Sequence, residues 1–314
     1  MRSIRKSLVA LLVLTGCCVP VGLAASAGAS SSTHAAFPVT LKLADGTFTF
    51  SKKPTAIVSL SPTATEMLYA IGAGPQVKAV DNYSDYPPNA PKTTLSGYQP
   101  NVEAIAKYDP DLVVVSSDTT SFNAQMAALK IPVLYSPAAT NLSRAYGEYG
   151  PLGKATGHAA QAAKEVATIK AKIAHIVASV PHAKKGTTYY YELDPTYYSV
   201  SSSTFVGQLF QLLGLRSIAD SAKGLASSGG YPQLNAEFIL KANPTYIFLA
   251  DTLCCKVTAT SVAARPGWSA LSAVKDHRVV ALNDDIASRW GPRITILLAD
   301  VADALEGKHV SATS

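Results

Sequence analysis

The chain reads as an α/β protein of two lobes, each made of short parallel-sheet αβ units and joined by a single rigid helix. Three observations carry that reading. Short β-rich apolar runs alternate with helical segments, the pattern of parallel sheets covered by helices. One segment occurs twice. Between the two occurrences lies a long apolar stripe at helical spacing.

The repeated segment is Gly97-Tyr98-Gln99-Pro100-Asn101-Val102-Glu103-Ala104-Ile105-Ala106-Lys107-Tyr108-Asp109-Pro110, which runs into Leu112-Val113-Val114-Val115. Its near copy is Gly230-Tyr231-Pro232-Gln233-Leu234-Asn235-Ala236-Glu237-Phe238-Ile239-Leu240-Lys241-Ala242-Asn243-Pro244, followed by Tyr246-Ile247-Phe248-Leu249. Asn, Glu, Ile, Lys and Pro coincide at a constant offset, and Gly-Tyr precedes both, displaced by one residue. Asn101 and Asn235 suit helix N-caps, where the side-chain oxygen accepts an orphan backbone N–H. Glu103 and Glu237 then fall in the first turn, beside the positive end of the helix dipole. One copy alone would be an ordinary αβ unit with dipole compensation. Two copies with the same Gly-Tyr entrance imply similar lobes, each presenting one tyrosine and one carboxylate at the same place.

Along the chain, residues 1–29 read as a signal or lipoprotein segment. Arg2, Arg5 and Lys6 form its positive start, and Leu8 to Leu14 an apolar run too short to span a bilayer of about 30 Å. Leu14-Thr15-Gly16-Cys17 resembles a bacterial lipobox, with Cys17 as the lipid anchor; cleavage after Ala25-Ser26-Ala27 is the alternative. Either way the protein is exported, to the outer face of the cytoplasmic membrane if anchored, otherwise secreted or periplasmic. Residues 30–54 form a tether and an N-terminal β segment, Val39 to Leu43, with an Asp45-Gly46 turn.

The N-terminal lobe, 55–141, opens with the strand Ala56 to Leu60 and a helix from about Thr65 to Ile71 that ends at Gly72. Val77 to Val80 is a second strand, leading into Asp81-Asn82-Tyr83-Ser84-Asp85-Tyr86-Pro87-Pro88. The first repeat supplies a helix and strand; a helix at Phe122 to Leu129 and a strand at Val133 to Tyr135 complete the lobe. Ligands of such sheets lie beyond the strand C-terminal ends, which places Tyr83 and the loop Ser116-Ser117-Asp118 there. Linking helices occupy 142–181. Asn141 can cap the first, which Gly147, Gly150 and Pro151 weaken or kink. In the second, Val166, Ile169, Ile173, Ile176, Val177 and Val180 recur at three- and four-residue steps, with lysines off the stripe. The C-terminal lobe, 182–314, starts at Thr187 to Leu193, with a second strand expected at Tyr197-Tyr198-Ser199-Val200 and a helix from Phe205 to Leu213. After the second repeat come Asp251-Thr252-Leu253-Cys254-Cys255, a strand at Arg278 to Leu282, a loop from Asn283 to Pro292 and a helix from Arg293 to Leu305.

Composition excludes several classes. Only 15% of the 314 residues are charged, and three of the 27 basic ones sit in the signal segment, so the rest is near balance with 21 acidic residues. Without a dense Lys/Arg cluster there is no case for nucleic acid. G-x-S-x-G, Walker A and G-x-G-x-x-G loops are absent, as are H-E-x-x-H and C-x-x-C, and the six histidines are scattered. Neither an enzyme nor a bound metal or cofactor is expected; a serine-type hydrolase assembled from dispersed residues is the distant alternative. Adjacent Cys254 and Cys255 can close a disulfide in an oxidising compartment or remain two small buried residues. The fifteen tyrosines, against eight Phe and two Trp, suit a half-wet binding surface.

These motifs together resemble the substrate-binding proteins of ABC importers for cobalamin and ferric siderophores, the periplasmic-binding fold whose two lobes are joined by one long helix. Ile57-Val58-Ser59-Leu60-Ser61-Pro62-Thr63-Ala64-Thr65-Glu66 looks like that family's first strand and turn. Tyr83-Ser84-Asp85-Tyr86-Pro87-Pro88 is similar to its cobalamin-binding members, and the two repeats match its ligand-facing and docking segments. The resemblance implies that Tyr83, Tyr98 and Tyr231 line a cleft, with Asp285, Arg289 and Trp290 reaching the ligand from the second lobe. It implies that Glu103 and Glu237 each meet an arginine of one subunit of a permease dimer, the protein itself being a monomer. Where cobalamin binders tend to carry tryptophan, this chain has Tyr98 and Tyr231, whose hydroxyls also serve oxygen-rich siderophores. Within the sequence reading, Arg289 either pairs an anionic chelate or forms a salt bridge with Asp285 that organises the loop. Haem held by a tyrosine axial ligand is the other binding alternative.

Overall fold

The computed structural model describes residues 37–43, 46–117 and 120–312. The signal segment with Cys17, and Asp118, lie outside them. The described residues form one compact unit containing two four-stranded parallel sheets and one hairpin.

The hairpin pairs β1 (Val39–Leu43) with β2 (Gly46–Phe50) in antiparallel register. The first sheet follows: β3 (Ile57–Leu60), α1 (Pro62–Ala70), β4 (Val77–Val80), α2 (Val102–Ala106), β5 (Leu112–Val115), α3 (Thr120–Ala128) and β6 (Val133–Tyr135). Then come α4 (Leu142–Thr156) and α5 (Ala159–Ser179). The second sheet is built from β7 (Thr188–Glu192), α6 (Phe205–Leu212), β8 (Arg216–Ser217), α7 (Ala236–Ala242), β9 (Tyr246–Leu249), α8 (Ala259–Ala263), α9 (Ser272–Lys275) and β10 (Val279–Ala281), and the chain closes with α10 (Asp284–Ser288) and α11 (Ile294–Leu305).

The strand orders are β4-β3-β5-β6 and β8-β7-β9-β10, so each lobe reads second, first, third, fourth in its own chain order. In both, the repeated unit supplies the helix before the third strand. The order reverses between first and third strands, and at such a switch point a crevice opens beyond the strand C-terminal ends.

Local chemistry explains why the repeat folds the same way twice. Asn101 accepts from the Ala104 N–H at 2.9 Å, and Asn235 from the Phe238 N–H at 2.8 Å. Ile105 and Ile239 are fully buried and pin their short helices to the sheets. Asp109 and Asn243, at matched positions, both adopt φ of 45°, reversing the chain before the proline. The Gly-Tyr entrance is steric as well. A Cβ on Gly97 would meet the Leu60 carbonyl at 2.6 Å, and one on Gly230, at φ +92°, would meet Thr204 Cγ2 at 2.8 Å.

The buried apolar residues form three clusters. One lies on the outer face of each sheet, and the inner faces share a continuous central core with α1, α4, α5, α6 and α11. The long helix carries the predicted stripe: Ile169 and Ile173 are buried, and Val166, Ile176, Val177 and Val180 pack partly buried against the core. Its 21 residues span about 32 Å. It is not a lone strut, because it lies along α4, where Gly153 leaves room for Ala162: a Cβ there would come within 2.5 Å of the alanine methyl. Pro151 sits inside α4 without ending it.

Two expectations give way. Tyr197 to Val200 forms no strand, only a bridge from Tyr198 to Gln233, since Tyr197 at φ 70° breaks the extended run. The two-residue strand β8 takes the sheet edge instead. The loop from Asn283 contains α10, capped by Asn283, whose side-chain oxygen accepts from the Asp285 and Ile286 N–H groups.

Candidate functional site

The C-terminal ends of the first-lobe strands present Tyr83 and Tyr98. Their rings meet edge to face at 5.8 Å and 84°, with Tyr98 84% exposed. Tyr231, on the second lobe, is 39% exposed; burial of its ring raises the phenol pKa, although Thr204 hydrogen-bonds to it. Its segment is held by hydrogen bonds from the Ser201 N–H to the Gly230 carbonyl and from the Ser199 N–H to the Pro232 carbonyl. Among the described residues no ring contact joins Tyr231 to the Tyr83–Tyr98 pair. Glu103 and Glu237 are both exposed, one per lobe.

Of the two sequence readings of Arg289, the structure contains the salt bridge with Asp285. Arg289 is 7% exposed, and its guanidinium is committed to neighbours. Nη1 donates to Glu66 Oε1 at 3.0 Å and Asp85 Oδ1 at 2.8 Å; Nη2 donates to the Tyr83 carbonyl at 3.0 Å and to Asp285. The salt bridge with Asp285 is therefore one member of a network that ties the second lobe to the first. Arg293 completes it, donating through Nε and Nη2 to Glu66 at 2.9 and 2.6 Å while its guanidinium lies 4.2 Å from the centre of the Tyr86 ring. Glu66, on α1, is fully buried beneath both arginines.

Asp285 and Asp85 face each other at the open side of this network. Burial, then the Asp85 carboxylate opposite, push Asp285 up to about 6. Burial also works to raise Asp85, yet hydrogen bonds from Asp285 and Arg289 hold it below the usual carboxylate range. Asp81, buried and hydrogen-bonded to Ser84, is raised by burial against the pull of Arg289.

Trp290 crosses the seam as well. Its Nε1 donates to Glu148 Oε2 at 3.2 Å, and Ser136 donates to the same oxygen. Burial raises the Glu148 pKa, with these two donors opposing. Glu148 lines a cavity of about 480 Å³ with Tyr135, Ser136, Arg144 and Pro151, beyond the end of β6.

A second cluster sits where β7 and β9 end. Glu192, fully buried, receives Arg265 at 2.6 Å on each oxygen. The buried Asp251 is pushed up to about 8, first by burial and then by Glu192. Cys254 and Cys255 are joined by a disulfide and exposed on the following loop. Asp284 anchors that loop by accepting the backbone N–H groups of Thr252, Leu253 and Cys254 at 2.8 to 3.0 Å.

The tyrosine-rich start of the second lobe is interior rather than half-wet. Tyr189, Tyr190 and Tyr191 are fully buried in β7, and the Tyr191 hydroxyl donates to the Ala287 carbonyl at 3.0 Å beneath α10. Sequence reasoning assigned no role to Asp85, Arg293, Glu148, Asp251 or Arg265, and used Glu66 only as a motif letter. One signal was present: Glu66 is a single carboxylate in an otherwise uncharged helix, which calls for a buried cation. Among the described residues no group of three or more His, Cys, Asp or Glu side chains is arranged to hold a metal ion. No described helix is long and apolar enough to cross a membrane.

Comparisons with known proteins agree with this architecture. The family described as periplasmic binding protein matches residues 57–286. The chain is 30% identical to an uncharacterized ABC transporter substrate-binding lipoprotein, YvrC, of Bacillus subtilis, over 95% of this chain and 94% of that one. It is 29% identical to a cobalamin-binding protein of Halobacterium salinarum, over 87% and 76%. The crystal structure of the periplasmic vitamin B12 binding protein BtuF of Vibrio cholerae superposes with a TM-score of 0.64 at 25% identity, covering 80% of this chain and 96% of that one. With two lobes of matching strand order and this breadth of similarity, the chain belongs to the periplasmic binding protein family.

Proposed function

We propose that this protein is the extracytoplasmic binding component of an ABC importer, capturing a large metal chelate, a corrinoid or a ferric siderophore, between its lobes. One observation carries the reading. Two lobes of the same strand order each repeat a glycine-positioned tyrosine, an Asn-capped helix and an exposed first-turn glutamate. A flat chelate is gripped by phenol faces, and Tyr83, Tyr98 and Tyr231 are among the exposed rings. Glu103 and Glu237 give a two-fold permease two equivalent contacts, one per lobe, which orient docking more than they tighten it. Cys17 supplies the lipid anchor at the outer face of the cytoplasmic membrane. The protein acts as a monomer and does no chemistry on its cargo.

The test is a thermal-shift screen of the mature protein with cyanocobalamin, cobinamide, haem and several ferric siderophores. A ligand that binds only the folded form raises Tm by mass action, about 2.7 kcal/mol of stabilisation at 100 times Kd. A rise with a corrinoid or ferric siderophore, reduced by Tyr98→Ala or Tyr231→Ala, is the expected result. A rise with haem alone, with a Soret shift lost on one Tyr→Phe substitution, would replace this reading with tyrosine-ligated haem capture. No rise with any of them would overturn it.

A further inference from the structure

Both arginines at the centre of the lobe seam are already engaged, and carboxylates outnumber them there. Arg289 spends its contacts on Glu66, Asp85, Asp285 and the Tyr83 carbonyl, and Arg293 grips Glu66 with its face against Tyr86. Three carboxylates thus share two guanidinium groups. The remaining neighbours do not reverse the balance. Asp81 is close enough to feel Arg289, and Glu148 is tied to Trp290, while Lys92 donates to the Asp85 carbonyl at 3.1 Å and Arg144 lines the cavity beside Glu148. Asp81 and Glu148 on one side and Lys92 and Arg144 on the other match in number, so the excess rests on the central three carboxylates against two arginines, which are committed to internal partners.

From this we infer that the gap between the lobes admits metal chelates of zero or positive net charge and rejects polyanionic ones. The inference rests on the binding function proposed above and adds the charge class of the ligand. An anionic chelate seeking Arg289 must displace Asp85 or Asp285, and the displaced carboxylate stays beside it as a like charge. Rejection by an unpaired or like charge separates ligands of similar shape. A neutral or cationic chelate meets phenol rings, carbonyl oxygens and carboxylates, all of which accept hydrogen bonds from amide or ammonium groups.

The experiment measures binding of four probes by the purified mature protein, using titration calorimetry at neutral pH and fixed low salt: neutral cyanocobalamin, neutral ferrichrome, cationic ferrioxamine B and trianionic ferric enterobactin. At least one neutral or cationic probe should bind about 100-fold or more tighter than ferric enterobactin, the ratio expected when an anion must displace a carboxylate from Arg289. Adding salt should narrow the gap. Asp85→Asn, which keeps the side-chain shape and removes one charge on the exposed side, should shift the ratio of anionic to neutral affinity about tenfold toward the anion. If ferric enterobactin binds as tightly as the neutral probes, the charge inference fails while chelate capture stands. An unchanged ratio in Asp85→Asn also overturns it. If none of the four binds, the capture reading and this inference fall together.

Discussion

Replacing Glu66 by glutamine should cost the protein more than any surface change. The carboxylate is fully buried and accepts three hydrogen bonds, two from Arg293 at 2.9 and 2.6 Å and one from Arg289 at 3.0 Å. Glutamine keeps the volume and one acceptor oxygen. It cancels the charge, and its amide group turns a second donor toward two guanidiniums that are 7% and 12% exposed. Removing one partner of a buried ion pair costs about 3–5 kcal/mol. Arg289 keeps Asp85 and Asp285, and Arg293 keeps the Tyr86 face, so the loss should sit near the lower end, about 3 kcal/mol. At about 2–4 °C per kcal/mol for a chain of this size, Tm should fall by about 6–12 °C. Differential scanning calorimetry and urea midpoints measure it, with Glu103→Gln as the exposed control. A fall under about 2 °C would refute the reasoning, because the desolvation of these charges would then already cancel their attraction.

Two further outcomes follow from other sites. Glu103→Ala combined with Glu237→Ala should abolish most uptake in cells while leaving the Kd of the captured chelate within about twofold, since rim charges act on docking rather than on the cleft; a large loss of affinity would remove the docking assignment. Asp251 should make stability fall with pH. Its folded pKa of about 8 lies above the usual carboxylate value, so the native state keeps a proton that the unfolded chain has lost, and stability declines from about pH 4 to about pH 8. Asp285 and Asp300, each raised to about 6, act in the same direction at lower pH, so the comparison with Asp251→Asn across the interval from 6 to 8 separates out the Asp251 share. Tm measured across that interval should drop in the wild type and stay flatter in Asp251→Asn; parallel curves would show that the proton is not held there.

The features legible in the sequence were those set by neighbouring residues. An asparagine three positions before its acceptor N–H, a glutamate in a first turn, a proline after a helix and an apolar stripe at helical steps all report on contacts made within a few residues. The fold class followed from them, as did the long helix and the matching helix–strand units. Features built from distant partners were hidden. Arg289 meets Glu66 across 223 residues of chain, and no local pattern predicts that meeting. The sequence reading therefore offered Arg289 a ligand or Asp285 alone, and missed Glu66, Asp85 and the Tyr83 carbonyl. The Tyr189-Tyr190-Tyr191 run misled for a related reason: its rings are held by Phe210, Phe248 and Trp268 from other segments, which made a wet-looking triplet interior. The position of β8 depended on the turn at Tyr197, whose positive φ nothing in the local sequence required.

The chain's two tryptophans divide their environments sharply. Trp268 is sealed in the second lobe, with the Arg265 guanidinium 4.6 Å from its ring centre, whereas Trp290 spans the seam to Glu148. A change of intrinsic emission on titrating Glu148 is therefore expected from Trp290, which alone of the two bonds that carboxylate. The protein carries its own optical gauge of how the halves meet, readable without a label, and Trp290→Phe supplies the blank.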